Sequence, residues 1–123
     1  MRGMSSRLVV KVTAGTDAPE RCAAAFSLAA TAVASGVDVS LWLSGEAAWF
    51  AVPGQAAEFA LPESAPLPDL LATVIAGGRV FLCSQCAARR GIADGAMLAG
   101  ISIAGMASFL EQIMADGTQA VVY

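Results

Sequence analysis

The stretch Arg79-Val80-Phe81-Leu82-Cys83-Ser84-Gln85-Cys86-Ala87-Ala88-Arg89-Arg90-Gly91 reads in two halves. Arg79 to Cys83 is a short apolar run of the kind that forms a buried strand. Ser84 to Arg90 changes to the composition of a short helix, and Gly91 closes it. A strand running directly into a helix is the repeating unit of an α/β fold.

The rest of the chain repeats that alternation. Upstream, Leu8 to Thr13 is rich in β-branched residues and predicts a first strand, followed by a turn at Ala14-Gly15-Thr16. A helix is expected over about 18–35. Asp17 would cap it, Pro19 falls in the tolerant first turn, and Glu20 would complete a capping box. Its larger apolar residues Cys22, Phe26 and Val33 recur at helical spacing, and Gly36 ends it. Val37 to Leu43 predicts a second strand. Ser44-Gly45-Glu46 then opens a short turn or helix that holds Trp49 and Phe50. Val52 to Pro68 carries four of the five prolines and reads as a long irregular connection. Helical periodicity resumes from Leu67 to Ala76 and stops at Gly77-Gly78. Downstream, Leu98 to Ala104 predicts a fourth strand, a helix follows over about 106–115, and Thr118 to Tyr123 predicts a fifth strand.

The 123 residues therefore read as one α/β domain over 1–123. The expected architecture is a three-layer sandwich with a five-stranded, mainly parallel, Rossmann-like sheet and helices on both faces. Right-handed crossovers bring all strand C-termini to one edge, where sites of this architecture gather. That edge would hold Gly15 to Asp17, Ser44 to Glu46, Cys83 to Cys86 and the turn at Gly105.

Composition narrows the classes. Hydrophobic residues make up 57% of the chain and charged ones 14%, which excludes a disordered chain. The apolar excess suits either a membrane segment or a domain with surfaces buried between subunits. The longest uncharged runs, Cys22 to Val37 and Gly95 to Leu110, are 16 residues each, shorter than the roughly 20 of a spanning helix. Lys11 interrupts the first apolar run, and no secretory cleavage pattern follows it. A cytoplasmic protein that self-associates is the expectation, with no membrane partner. The net charge is −3 and the seven basic residues are dispersed, so no nucleic-acid footprint is present. The chain has no histidine, which removes Ser-His-Asp and Cys-His catalysis and histidine-based zinc sites. Its three cysteines are expected to be reduced.

The pair Cys83 and Cys86 is the candidate for chemistry. Free N–H groups at a helix start favour negative charge, and the thiolate is the reactive form of cysteine. Ser84 and Gln85 supply amides there, and Arg89 and Arg90 follow within two turns. Against this stands the ordinary burial of cysteine in cores, which is the preferred reading for Cys22. Arg89 and Arg90 are equally well read as solvated residues. Trp42, Trp49 and Phe50 favour core or interface packing over ligand binding. Zinc would need more ligands than the pair supplies. Thiol–disulfide exchange and persulfide transfer both remain open.

The segment Cys83 to Ile92, with Arg89-Arg90-Gly91 after the cysteine, resembles the DsrE/DsrF-like family of sulfur-relay proteins. Gly15-Thr16-Asp17-Ala18-Pro19-Glu20-Arg21 and Gly100-Ile101-Ser102-Ile103-Ala104-Gly105-Met106 are similar to that family's first loop and its ending. The resemblance implies a five-stranded parallel sheet, a homo-oligomer such as a trimer or hexamer, and a cysteine that accepts and passes on a sulfane sulfur. Cys83 would be the persulfide carrier. Relay members often lack the second cysteine, so Cys86 is a departure with room for a resolving or redox role. The expectation is thus a sulfur carrier or sulfurtransferase-like protein acting with donor and acceptor proteins, without cofactor or metal. Cys83 and Cys86 would do the chemistry, supported by Gly15, Thr16, Ser84, Gln85, Arg89 and Arg90. The alternatives are a thiol–disulfide sensor and a non-catalytic oligomeric binding module.

Overall fold

The computed structural model describes residues 6–123; residues 1–5, which the one-domain reading includes, lie outside them. The elements are β1 (Arg7–Val12), α1 (Pro19–Ala34), β2 (Asp38–Leu43), α2 (Leu67–Gly77), β3 (Arg79–Cys83), α3 (Ser84–Arg89), β4 (Ile101–Ala104), α4 (Met106–Met114) and β5 (Thr118–Val122). A 3₁₀ turn over Gly45–Ala51 holds Trp49 and Phe50, and shorter ones occupy Ala56–Glu58 and Asp94–Ala96.

The five strands form one sheet in the order β4-β3-β2-β1-β5. Every pairing is parallel, with Val10 beside Leu41 and Cys83 beside Ala104. The order explains the layers. From β1 to β4 the chain steps along the sheet in one direction, so right-handed crossovers keep α1 and α2 on one face. The last connection jumps back past β1, and the same handedness sends α4 to the other face.

The two faces are unequally covered. The α1/α2 face carries the main core, built from Val10, Val12, Leu41, Leu43, Val80 and Leu82 against Phe26, Leu71 and Val74. Small residues on the buried side of α1 (Ala25, Ala29, Ala32) let it pack closely. The other face carries a smaller cluster of Val9, Trp42 and Phe109. There Trp42 stacks on Phe81 at 4.9 Å and meets Phe109 edge-on at 5.3 Å. The Trp42 Nε1–H donates to Gln112 Oε1 at 2.9 Å, which satisfies the buried indole. The Lys11 ammonium lies 4.9 Å from the Phe109 ring centre.

Three details differ from the sequence reading. Asp17 does not cap α1: the N-cap is Ala18, without a side-chain cap bond. The Asp17 carboxylate instead accepts the Gly15 N–H at 2.8 Å, so the expected capping box gives way to a loop bond one turn earlier. The fourth strand starts at Ile101 rather than Leu98. Gly100, with φ of +91°, turns the chain there, and the Leu98 N–H is taken by the Ala51 carbonyl rather than a sheet ladder. Trp49 is exposed, whereas Trp42 and Phe50 are core residues as expected. No helix among the described residues is long and apolar enough to cross a membrane.

Candidate functional site

The site forms where β3 passes into α3. Cys83 is the N-cap of α3, and Cys86 stands three residues on, in its first turn. An N-cap side chain lies in front of the amides at the second and third helical positions. Here those are the amides of Gln85 and Cys86, to which the Cys83 side chain makes no regular cap hydrogen bond. Cys83 is half-buried and Cys86 is buried.

The loop after β2 closes over this turn. Gly45 has φ of +52°, a left-handed conformation that favours glycine. That turn aims the Gly45 N–H at the Cys86 sulfur, 3.3 Å away. Ser44 is buried, and its Oγ has no hydrogen-bond partner of ordinary geometry. A buried hydroxyl without a partner is costly, and this one belongs to the surroundings of Cys83.

Those surroundings set the state of the thiol. Burial alone would raise the Cys83 pKa. The amide and thiol of Cys86, the amide of Gln85 and the hydroxyl of Ser44 together outweigh burial and hold it below its ordinary value. Cys22 shows the opposite case: burial, then the nearby Asp17 charge, push it up to about 12. Cys22 is an inert core thiol, as the sequence suggested.

Of the other residues singled out from sequence, Arg90 has the clearest structural role. Its Nη2 and Nε donate to Glu46 Oε2 at 2.8 and 3.2 Å, and its Nη1 donates to the Cys86 carbonyl at 3.2 Å. Arg90 thus ties the end of α3 to the loop that carries Ser44 and Gly45. Gly15 supports the same loop from the far side: a Cβ there would lie 2.9 Å from the Glu46 carbonyl oxygen. Ser84 sits beside Gly105, where a Cβ would be 3.4 Å from the Ser84 Oγ. Gln85 contributes its amide while its side chain is exposed. Thr16 and Arg89 are exposed, and neither makes a side-chain hydrogen bond or ion pair among the described residues.

Sequence reasoning placed Ser44, Gly45 and Glu46 on this edge without giving them roles. Their position at the end of the neighbouring strand was the available signal. No group of three or more Cys, Asp or Glu side chains comes together as a metal site among the described residues. A cleft of about 340 Å³ lined by Arg7, Asp38, Ser40, Arg79, Glu111 and Gln112 lies at the opposite edge, where the strands begin, remote from the sulfurs.

The pH dependence of Cys83 follows from its partners. A lowered thiol pKa adds stability that is present above the unfolded thiol value and is lost as pH falls through the folded one. Ser44→Ala is expected to move the pH midpoint of Cys83 alkylation upward, toward the ordinary value of about 8.5. Its effect on thermal stability is expected to be small, because losing a donor to the thiolate and removing a buried hydroxyl without a regular partner act in opposite directions. Site-resolved alkylation rates between pH 5 and 10 would check both the midpoint and its direction.

Comparison with known proteins agrees with this architecture. The ychN protein from E. coli has a solved structure that aligns with a TM-score of 0.76 at 22% identity, covering 98% of this chain and 100% of that one. The structure of MTH1491 from Methanobacterium thermoautotrophicum, a protein of unknown function, aligns with a TM-score of 0.66 at 13% identity, covering 95% and 98%. At those identities the likeness shows a shared fold. None of the curated proteins matches the chain in sequence. The model of the DsrE/DsrF-like family matches residues 6–122, and the chain belongs to that family.

Proposed function

We propose that this member of the DsrE/DsrF-like family is a cytoplasmic sulfur carrier, or sulfurtransferase-like protein, that holds a persulfide on Cys83. The observation that carries the reading is the position of that sulfur at the N-cap of α3, half-buried and in front of the free amides of the helix's first turn. They favour the thiolate, which is the form that attacks a sulfur donor. The same donors suit a persulfide anion, whose charge lies on the neighbouring sulfur. Donor and acceptor would be other proteins, with no nucleic acid or membrane involved.

Loading with a polysulfide donor tests the proposal. The wild type is expected to gain the mass of one sulfur, mapped to Cys83, and Cys83→Ser to gain none. Equal gain by Cys83→Ser would refute the assignment. A non-catalytic binding module predicts instead that Cys83 resists alkylation in the native protein.

We further propose self-association, as a trimer or hexamer, through the face that carries α4. A single helix about 10 Å wide cannot cover five strands spaced about 4.8 Å apart. The outward side of α4 is itself apolar: Met106, Leu110 and Met114 recur every fourth residue and are 57%, 55% and 72% exposed. A helix apolar on both sides belongs in a buried setting. Val122 of β5, beside Lys11 on the same face, is also exposed. Leu110→Glu is expected to lower the solution mass toward that of one chain in light scattering, and an unchanged mass would count against this interface.

A further inference from the structure

We infer that Cys86 discharges the Cys83 persulfide internally, releasing hydrosulfide and leaving a Cys83–Cys86 disulfide. The inference rests on the carrier reading above and gives the stored sulfur a second exit when no acceptor arrives.

The geometry of one helical turn supports it. Cys83 at the N-cap and Cys86 at the third helical position lie on the same side of the turn. The two differ in access: Cys83 is half-buried, while Cys86 is only 8% exposed. An outer cysteine that receives a group and an inner one that resolves it need that division. The inner sulfur also has an amide of its own, since the Gly45 N–H points at Cys86 Sγ from 3.3 Å. That donor faces the sulfur which must bear negative charge during attack. Arg90, bonded to the Cys86 carbonyl and to Glu46, holds α3 and the Gly45 loop in this relation.

The Cys86 thiol gives up its proton, and its sulfur attacks the inner sulfur of the persulfide, Cys83 Sγ. The bond between Cys83 Sγ and the sulfane sulfur breaks. The outer sulfur leaves with the bonding pair and takes up the proton as hydrosulfide. The sulfane sulfur is reduced by two electrons, and the two cysteine sulfurs lose one each in forming the disulfide. A dithiol reductant, or two equivalents of a monothiol such as glutathione, returns the protein to its starting state.

The test follows wild type, Cys86→Ser and Cys86→Ala after loading with inorganic polysulfide and desalting, without acceptor or reductant. Wild type is expected to lose its added sulfur, appear two hydrogens lighter than the reduced protein, and release one equivalent of hydrosulfide to a bimane trap. Peptide mapping should find Cys83 joined to Cys86. Both variants are expected to keep the adduct at least about tenfold longer, as loss of the attacking thiolate requires. Circular dichroism identifies any variant that has not folded, and the other one then decides. Equal decay in wild type and variants, or decay without the Cys83–Cys86 link, would overturn the inference while leaving the carrier reading intact. Failure of Cys83 to load at all would overturn the carrier reading and this inference with it.

Discussion

Gly45→Ala is expected to damage stability and thiol reactivity together. Gly45 has φ of +52°, and a Cβ there would collide with the Thr13 carbonyl oxygen. Left-handed backbone at a side-chain-bearing residue costs on the order of 1–3 kcal/mol, and the collision with fixed backbone adds to that. Relief requires the loop to shift off the end of β1, which disturbs the placement of the Gly45 N–H against Cys86 and of Ser44 beside it. The expected result is a fall in melting temperature with slower alkylation of Cys83 near neutral pH. Gly36→Ala is the matched control. Gly36 also has a positive φ, of +84°, but a Cβ there would meet nothing within 4 Å. It should cost only about 1–2 kcal/mol of backbone strain and leave Cys83 reactivity unchanged. Equal alkylation rates in Gly45→Ala and wild type would show that the Ser44–Gly45 loop does not govern the site.

Trp42→Ala is expected to be the most destabilising single change on the α4 face. Trp42 is 2% exposed and is the centre of the smaller cluster, touching Phe81 and Phe109. Truncating a buried aromatic of that size costs about 3–5 kcal/mol. The Gln112 side chain loses its indole partner as well. In a chain of this length the melting temperature should drop by on the order of 10 °C. Because α4 is held to the sheet by few large residues, its amides should also exchange with solvent faster than those of α1. A melting temperature within about 3 °C of wild type would mean that α4 is held chiefly by a neighbouring subunit rather than by Trp42. Cys83 sits on β3, one strand beyond Trp42, and its thiol pKa is set by α3 and the Ser44 loop. Its reactivity should therefore survive in the folded fraction, which separates this variant from Gly45→Ala.

The sheet was legible because its strands are short, β-rich and bounded by glycine. Arg79 to Cys83 matches β3 residue for residue, and the other strand and helix limits moved by a residue or two, apart from the start of β4. That start was misplaced because Leu98 and Ala99 are as apolar as the strand they precede, and only Gly100 turns the chain between them. The Asp17 cap failed for a local reason. A carboxylate two residues after a free loop amide can bond backward as readily as forward, and here it bonds to Gly15.

The sequence by itself determined the alternation of strands and helices, the parallel sheet, and the position of Cys83 and Cys86 at the join of strand and helix. Those features depend on local pattern and on the handedness of crossovers, which act over a few tens of residues at most. Only the tertiary structure decided what surrounds the two sulfurs. Ser44 and Gly45 come from a different strand end, about forty positions away in the chain, and no periodicity links them to Cys83. The same applies to Arg90, which from sequence was as plausibly solvated as functional and in the fold is bound to Glu46. The cysteine pair is a sequence feature. Its hydrogen-bond donors are assembled by packing parallel strands so that their C-terminal loops meet at one edge.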